Sequence, residues 1–145
     1  MSTRKLVLMF AAPIALICTI AAQDQPKATV KHTPIKSTSA ASGQEMFKSY
    51  CAVCHGTDGK GGGPAATALK NAPADLTLLS KNNGGKYPAM KVSSILHGTS
   101  DLAAHGSKDM PVWGPLFRGI SGGHESEVQQ RVANLTDYVG SLQAK

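Results

Sequence analysis

The six residues CAVCHG, Cys51 to Gly56, constrain this chain more tightly than any other stretch of it. Two thiols three positions apart, followed at once by an imidazole, serve one of three chemistries: a redox-active dithiol, half of a zinc site, or covalent attachment of haem through C-x-x-C-H. A thioredoxin-like dithiol belongs beside a βαβ pattern, and no strand-like segment precedes Cys51. A structural zinc site takes four ligands, usually as a second closely spaced pair, whereas His97 and His105 stand eight apart and no cysteine follows Cys54. A disulfide between Cys51 and Cys54 would close so short a loop that it removes little chain entropy. Haem attachment remains. Each thiol adds to a vinyl group to form a thioether, and His55 takes one axial position on the iron.

The context of the motif points to export. Arg4 and Lys5 precede a 17-residue apolar run, LVLMFAAPIALICTIAA, and the chain turns polar at QDQPK; that is the order of a secretory signal. Residues 1–22 are read as a signal peptide cleaved near Ala22 or as an uncleaved anchor that would attach the chain to the membrane, a reading that Pro13 inside the run weakens. Cys18 follows Ile17, where a lipoprotein signal has a small residue, and reads as an apolar thiol of the leader. Residues 23–42, QDQPKATVKHTPIKSTSAAS, follow no period and read as a flexible linker. What is left, 145 − 42 = 103 residues, is one domain and not two. The formal charge of +6 sits mostly ahead of that domain: residues 43–145 carry 10 Lys+Arg against 8 Asp+Glu, or +2. No basic run with interleaved aromatics occurs there, which argues against a nucleic-acid partner.

Within the domain, Ser42 and Glu45 form the pattern of a capping box, predicting a helix from Gly43 to about Cys54. On it Cys51, Cys54 and His55 stand at i, i+3 and i+4, on one side of the last turn. At the other end Val128, Val132, Leu135, Val139 and Leu142 recur at steps of four, three, four and three, one face of a helix that Ser126 and Gln129 would cap. Between them, GTDGKGGGPAATALKNAPADLTLL has five glycines and two prolines, with short helical possibilities at Ala65 to Lys70 and Ala74 to Leu79. YPAMKVSSILHG predicts a helix from Ala89 to His97, stopped by Gly98. The following TSDLAAHGSKDMPVWGPLFRG reads as loop. No segment alternates long enough for a strand, so the class is all-α.

From Gly43 to the C-terminus the chain resembles a monohaem class I cytochrome c of the small bacterial type. CHGTDGKGGGPAATAL and APADLT resemble that family's haem-binding loop, and GSKDMPVWG its distal ligand loop. The resemblance implies the cytochrome c fold: three to five short helices around one covalently bound haem c, with the N- and C-terminal helices crossing where Gly43 and Phe47 meet Leu135 and Tyr138. In the family the proximal imidazole donates its ring N–H to a proline carbonyl of the glycine-rich loop, which by resemblance is Pro64. Such a bond fixes the ring and raises its basicity.

The iron then needs a second axial ligand. Met46 stands on the same helix as Cys51 and cannot reach across the porphyrin, and His32 is in the linker. Met110 sits in the turn-forming KDMPVWG, stiffened by Pro111 and 55 residues beyond His55, and is the leading candidate. Met90, His97 and His105 are the alternatives. Trp113 offers an indole N–H to a haem propionate, or else packs in the core; Tyr87 and Arg118 read as ordinary packing and a solvated surface group. With His55 and Met110 on the iron no coordination position is left for a substrate. The expected function is single-electron transfer between redox partner proteins, not enzymatic catalysis, in the periplasm or on the outer face of the cytoplasmic membrane. Two other readings stand beside it: a haem enzyme or gas sensor with a labile distal ligand, and a fixed electron-entry subunit of a respiratory or dehydrogenase complex.

Overall fold

A computed structural model of the chain describes residues 35–99 and 110–144. The predicted leader 1–22, the linker as far as residue 34, and His105 lie outside the described residues. Among the described residues the regular structure is helical and contains no strand.

The first helix, α1, is one rod of three stretches: α-helical Gly43–Met46, π-helical Phe47–Cys51 and α-helical Ala52–His55. Ser42 caps it as predicted, its hydroxyl accepting from the Glu45 N–H at 3.1 Å. The reciprocal half of the box does not form, because the Glu45 carboxylate accepts instead from the Ser39 N–H at 3.3 Å. In the π stretch Ala52 donates its N–H to the carbonyl of Phe47, five residues back. The widened turn leaves Met46, Phe47, Tyr50 and Cys51 all buried. Gly56, with φ 77°, ends the helix.

The glycine-rich segment doubles back onto the end of α1. Gly61, Gly63 and Ala65 donate to the carbonyls of His55, Cys54 and Val53 at 2.7, 3.0 and 2.9 Å, pairing acceptors that a helix C-terminus leaves without partners. Gly63 has to be glycine, since a Cβ there would meet the carbonyl oxygens of Val53 and Ala52 at 2.5 and 2.6 Å. Instead of the two short helices predicted at 65–70 and 74–79, single 3₁₀ turns form at Ala66–Ala68 and Leu76–Leu78, with a third at Lys81–Asn83. The next helix, α2, spans Ala89–His97 as predicted and stops at Gly98, φ 76°.

One segment expected as loop is helical: α3, Trp113–Ile120. Trp113, Leu116, Phe117 and Ile120 repeat at i, i+3, i+4 and i+7, a helical stripe that Gly114, Pro115 and Gly119 obscured. Pro115 lies in the first turn, where its missing N–H has no intrahelical acceptor to lose. The last helix, α4, runs Glu125–Ser141 behind His124, so Ser126 lies inside the first turn and is not the cap; Gln129 bonds to Glu125 at 3.0 Å. Val128, Val132, Leu135 and Val139 form its buried stripe.

Helices α1 and α4 cross as the resemblance implied. Phe47 and Tyr138 meet with ring centroids 5.3 Å apart, and Gly43 lies so close to α4 that a Cβ would overlap the Asn134 carbonyl. Packing also begins ahead of the point where the sequence reading ended the linker. Thr38 is buried, Tyr50 donates its hydroxyl to the Lys36 carbonyl at 2.6 Å, and Asn134 donates its amide to the Ala40 carbonyl at 2.8 Å. Residues 36–40 thus form a strap across α1 and α4.

Candidate haem-binding site

The last turn of α1 presents Cys51, Cys54 and His55 to one cavity. Burial, with a smaller contribution from Cys54, pushes the Cys51 thiol up to about 12. A disulfide-exchanging dithiol needs the opposite, a thiol lowered toward ambient pH. Among the described residues no cluster of three His, Cys, Asp or Glu side chains could hold a metal ion. Neither the dithiol nor the zinc chemistry gains support.

His55 places Nδ1 3.0 Å from the Ala74 carbonyl oxygen. A carbonyl only accepts, so Nδ1 carries the hydrogen and Nε2 keeps a free lone pair. Burial lowers the imidazole's pKa and the Ala74 bond opposes this in part; the neutral, ligating form is favoured. This corrects the expected role of Pro64. With Gly63 and Ala65 tied to the carbonyls of α1, Pro64 is left exposed and outside the cavity lining. The carbonyl that meets the ring comes from the second loop, 19 residues on from His55. Asp75 keeps that loop in shape by accepting from the N–H and hydroxyl of Thr77 at 2.9 and 2.6 Å.

The cavity walls are mostly apolar. Phe47 and Tyr50 come from α1, Leu76 and Leu79 from the loop, Val92 and Leu96 from α2, Leu135 and Val139 from α4, with Met110, Pro111 and Trp113 completing the lining. Met110 therefore borders the same cavity as His55. Of the other candidates, Met90 is 86% exposed and faces a separate groove, and His97 does not line the cavity; His105 lies outside the described residues. Met46 is buried in the core with Sδ 3.9 Å from Arg131 Nη1. Trp113 is buried and its indole Nε1 has no hydrogen-bond partner. Tyr87 packs on α4 and donates to the Thr136 carbonyl at 2.7 Å, while Arg118 pairs with Glu125 at 2.8 Å on the surface.

These features suit a haem. Two thiols and an unprotonated imidazole nitrogen stand at one end of an apolar cavity, a thioether borders it, and a buried N–H that is costly to leave unpaired points to a polar group not supplied by the protein. The fold and these residues define a monohaem class I c-type cytochrome. A family model described as cytochrome c oxidase, cbb3-type, subunit III matches residues 38–119, which is 119 − 38 + 1 = 82 of the 145 residues, and the chain belongs to that family. No curated protein and no solved structure matches the chain. Membership implies covalently bound haem c, electron carriage and redox partners.

Two participants escaped the sequence reading. Ala74 acts through a backbone oxygen, which has no side-chain signature, although the APADLT segment containing it was singled out. Tyr50 lines the cavity directly before Cys51; its signal was its place in the helical register, four residues ahead of Cys54.

Proposed function

We propose that the protein carries single electrons between redox partners outside the cytoplasm, through a haem joined to Cys51 and Cys54 and held on its two faces by His55 Nε2 and Met110 Sδ. The observation that carries this reading is the shared cavity: both cysteines, the imidazole and the Met110 side chain border one apolar space. When bound, the haem supplies the Fe(III)/Fe(II) couple. The protein's part is to hold and insulate it. His55 is oriented by Ala74; the soft thioether of Met110 favours the ferrous state and raises the potential relative to a second imidazole. The walls keep water away, and the Trp113 N–H is available to a propionate. With His55 and Met110 both holding the iron, no coordination position would be left for a substrate. The charge and apolar order of residues 4–22 support export, and no described helix is long and apolar enough to cross a membrane.

A second reading is favoured by the family's description: the domain serves as a fixed electron-entry subunit of a respiratory oxidase and not as a free shuttle. Co-purification with integral oxidase subunits from native membranes separates the two.

The test of the site is expression with a haem-attachment system. The mature protein gains the mass of one haem and a c-type absorption spectrum, and its oxidised form has the near-infrared band of a sulfur-to-iron charge transfer. Met110→Ala abolishes that band and lets the reduced protein bind carbon monoxide, while Met90→Ala leaves both properties as in the wild type. A band that survives Met110→Ala overturns the Met110 assignment; a colourless protein of unchanged mass overturns the whole reading.

A further inference from the structure

Arg131, on α4, is 2% exposed, a depth at which every guanidinium N–H needs a partner. Nε donates to the Ser121 hydroxyl at 3.0 Å, Nη1 to the Thr38 hydroxyl at 3.2 Å, and Nη2 to the Glu127 carboxylate at 2.6 Å. The Glu127 side chain is 35% exposed, so the ion pair lies on the solvent side of the group, while the Thr38 bond is buried.

From Thr38 onward the bonds have one direction. The Lys36 carbonyl can only accept, so the Tyr50 hydrogen is spent on it at 2.6 Å. Thr38 must then donate its own hydrogen to the Tyr50 oxygen, 2.8 Å away, while its oxygen accepts from Arg131. The result is a relay, Arg131 to Thr38 to Tyr50 to Lys36, in which each donor polarises the next. Tyr50 brings the relay to the cavity, where it forms part of the wall and stacks on Trp113 with centroids 5.5 Å apart and planes 28° apart. Neither Arg131 nor Thr38 borders the cavity itself.

We propose that Arg131 is a positioning residue for the haem pocket, acting through Thr38 and Tyr50 to set the Tyr50–Trp113 stack that faces the cofactor. This rests on the haem reading above and extends it: residues 36–40, ahead of α1, belong to the site. A purely structural Arg131, tying the strap and the end of α3 to α4, would affect stability and nothing at the haem.

The test uses the holoprotein and reads Soret-region circular dichroism and the reduction potential. Thr38→Val and Tyr50→Phe each shift both readouts in the same direction, and the double variant shifts them no further than the larger single change, because both break one relay. Arg131→Lys keeps the charge but loses the planar fork, and it reproduces the Thr38→Val shift. The proposal is overturned if Thr38→Val and Arg131→Lys keep wild-type Soret dichroism and potential, even if their melting temperatures fall. Should Arg131→Lys not fold, Thr38→Val alone decides on the same criterion. A wild-type protein without covalent haem would overturn the pocket reading instead, so the two failures are distinct.

Discussion

Gly43→Ala sets two effects of one methyl group against each other. Alanine is the better helix former by at most about 1 kcal/mol, and at the first position of α1 the gain is smaller. Against it, the new Cβ would overlap the Asn134 carbonyl and come within 2.8 Å of the Tyr138 Cβ. The Asn134 carbonyl is helix backbone, which cannot rotate out of the way, so α1 and α4 must move apart. Overpacking of this kind costs about 1–3 kcal/mol. The net loss is then about 1–2 kcal/mol, which in a domain of this size lowers the melting temperature by roughly 5–15 °C. Gly119→Ala is the matched control: Gly119 is an exposed residue of α3 with no atom within 4 Å of its would-be Cβ. There only the propensity gain acts, about 0.5–1 kcal/mol, and the melting temperature rises. Thermal or guanidinium unfolding of the two holoproteins, followed by far-ultraviolet circular dichroism, reads opposite signs. Equal stability of Gly43→Ala and wild type, or two shifts of the same sign, refutes the close-crossing argument.

Gln143 donates to the Leu76 and Val139 carbonyls at 2.7 and 2.9 Å and accepts from the Ser80 N–H at 2.8 Å; Gln143→Ala is expected to cost about 1–3 kcal/mol and to speed hydrogen exchange at the Ser80 amide. Tyr87→Phe removes the bond to Thr136 and about 1 kcal/mol of stability at neutral pH. The Tyr87 phenol is pushed up to about 12, by burial first and the Asp137 carboxylate second. The neutral phenol is therefore the native form, and its contribution is whole below the unfolded value of about 10. The wild-type margin over Tyr87→Phe should shrink as pH rises through about 12, read by urea unfolding across that range. Chain produced without haem attachment is expected to be largely unfolded or molten, and a cooperative calorimetric transition in it would contradict that.

The legible parts of this sequence were those where side-chain pattern alone decides the structure. The α4 stripe, α2 with its glycine stop, and the Ser42 cap follow from periodicity and local hydrogen bonding, and C-x-x-C-H identifies its chemistry by spacing. What escaped depends on contacts distant in sequence or on backbone atoms. In α3 the weak intrinsic preference of Gly114, Pro115 and Gly119 is overridden by the burial of Trp113 and Phe117, which face Tyr50 across the core. The acceptor for His55 is a main-chain oxygen fixed by the fold of a loop. Thr38 looks like linker in composition, and its bonds to Tyr50 and to Arg131, 12 and 93 residues away, make it part of the packed domain.

The same helix supplies the haem attachment residues and half of the principal helix crossing, and that ties stability to cofactor geometry. Phe47 packs on Tyr138 of α4 and also lines the cavity; four residues later comes Cys51, and Leu135 and Val139 of α4 both close the crossing and face the cavity. Apolar side chains of all four helices are turned toward the cavity. A haem attached at Cys51 and Cys54, as proposed, would fill that space from the end of α1, against the cavity-lining residues of α2 and α4. On the proposed attachment, a separation of α1 from α4 would also shift the thioethers and the His55 imidazole relative to Met110. On this reasoning Gly43, at the far end of α1 from the cysteines, is coupled to the axial ligands by the stiffness of one helix, and in Gly43→Ala the near-infrared band should weaken at temperatures below the main unfolding transition.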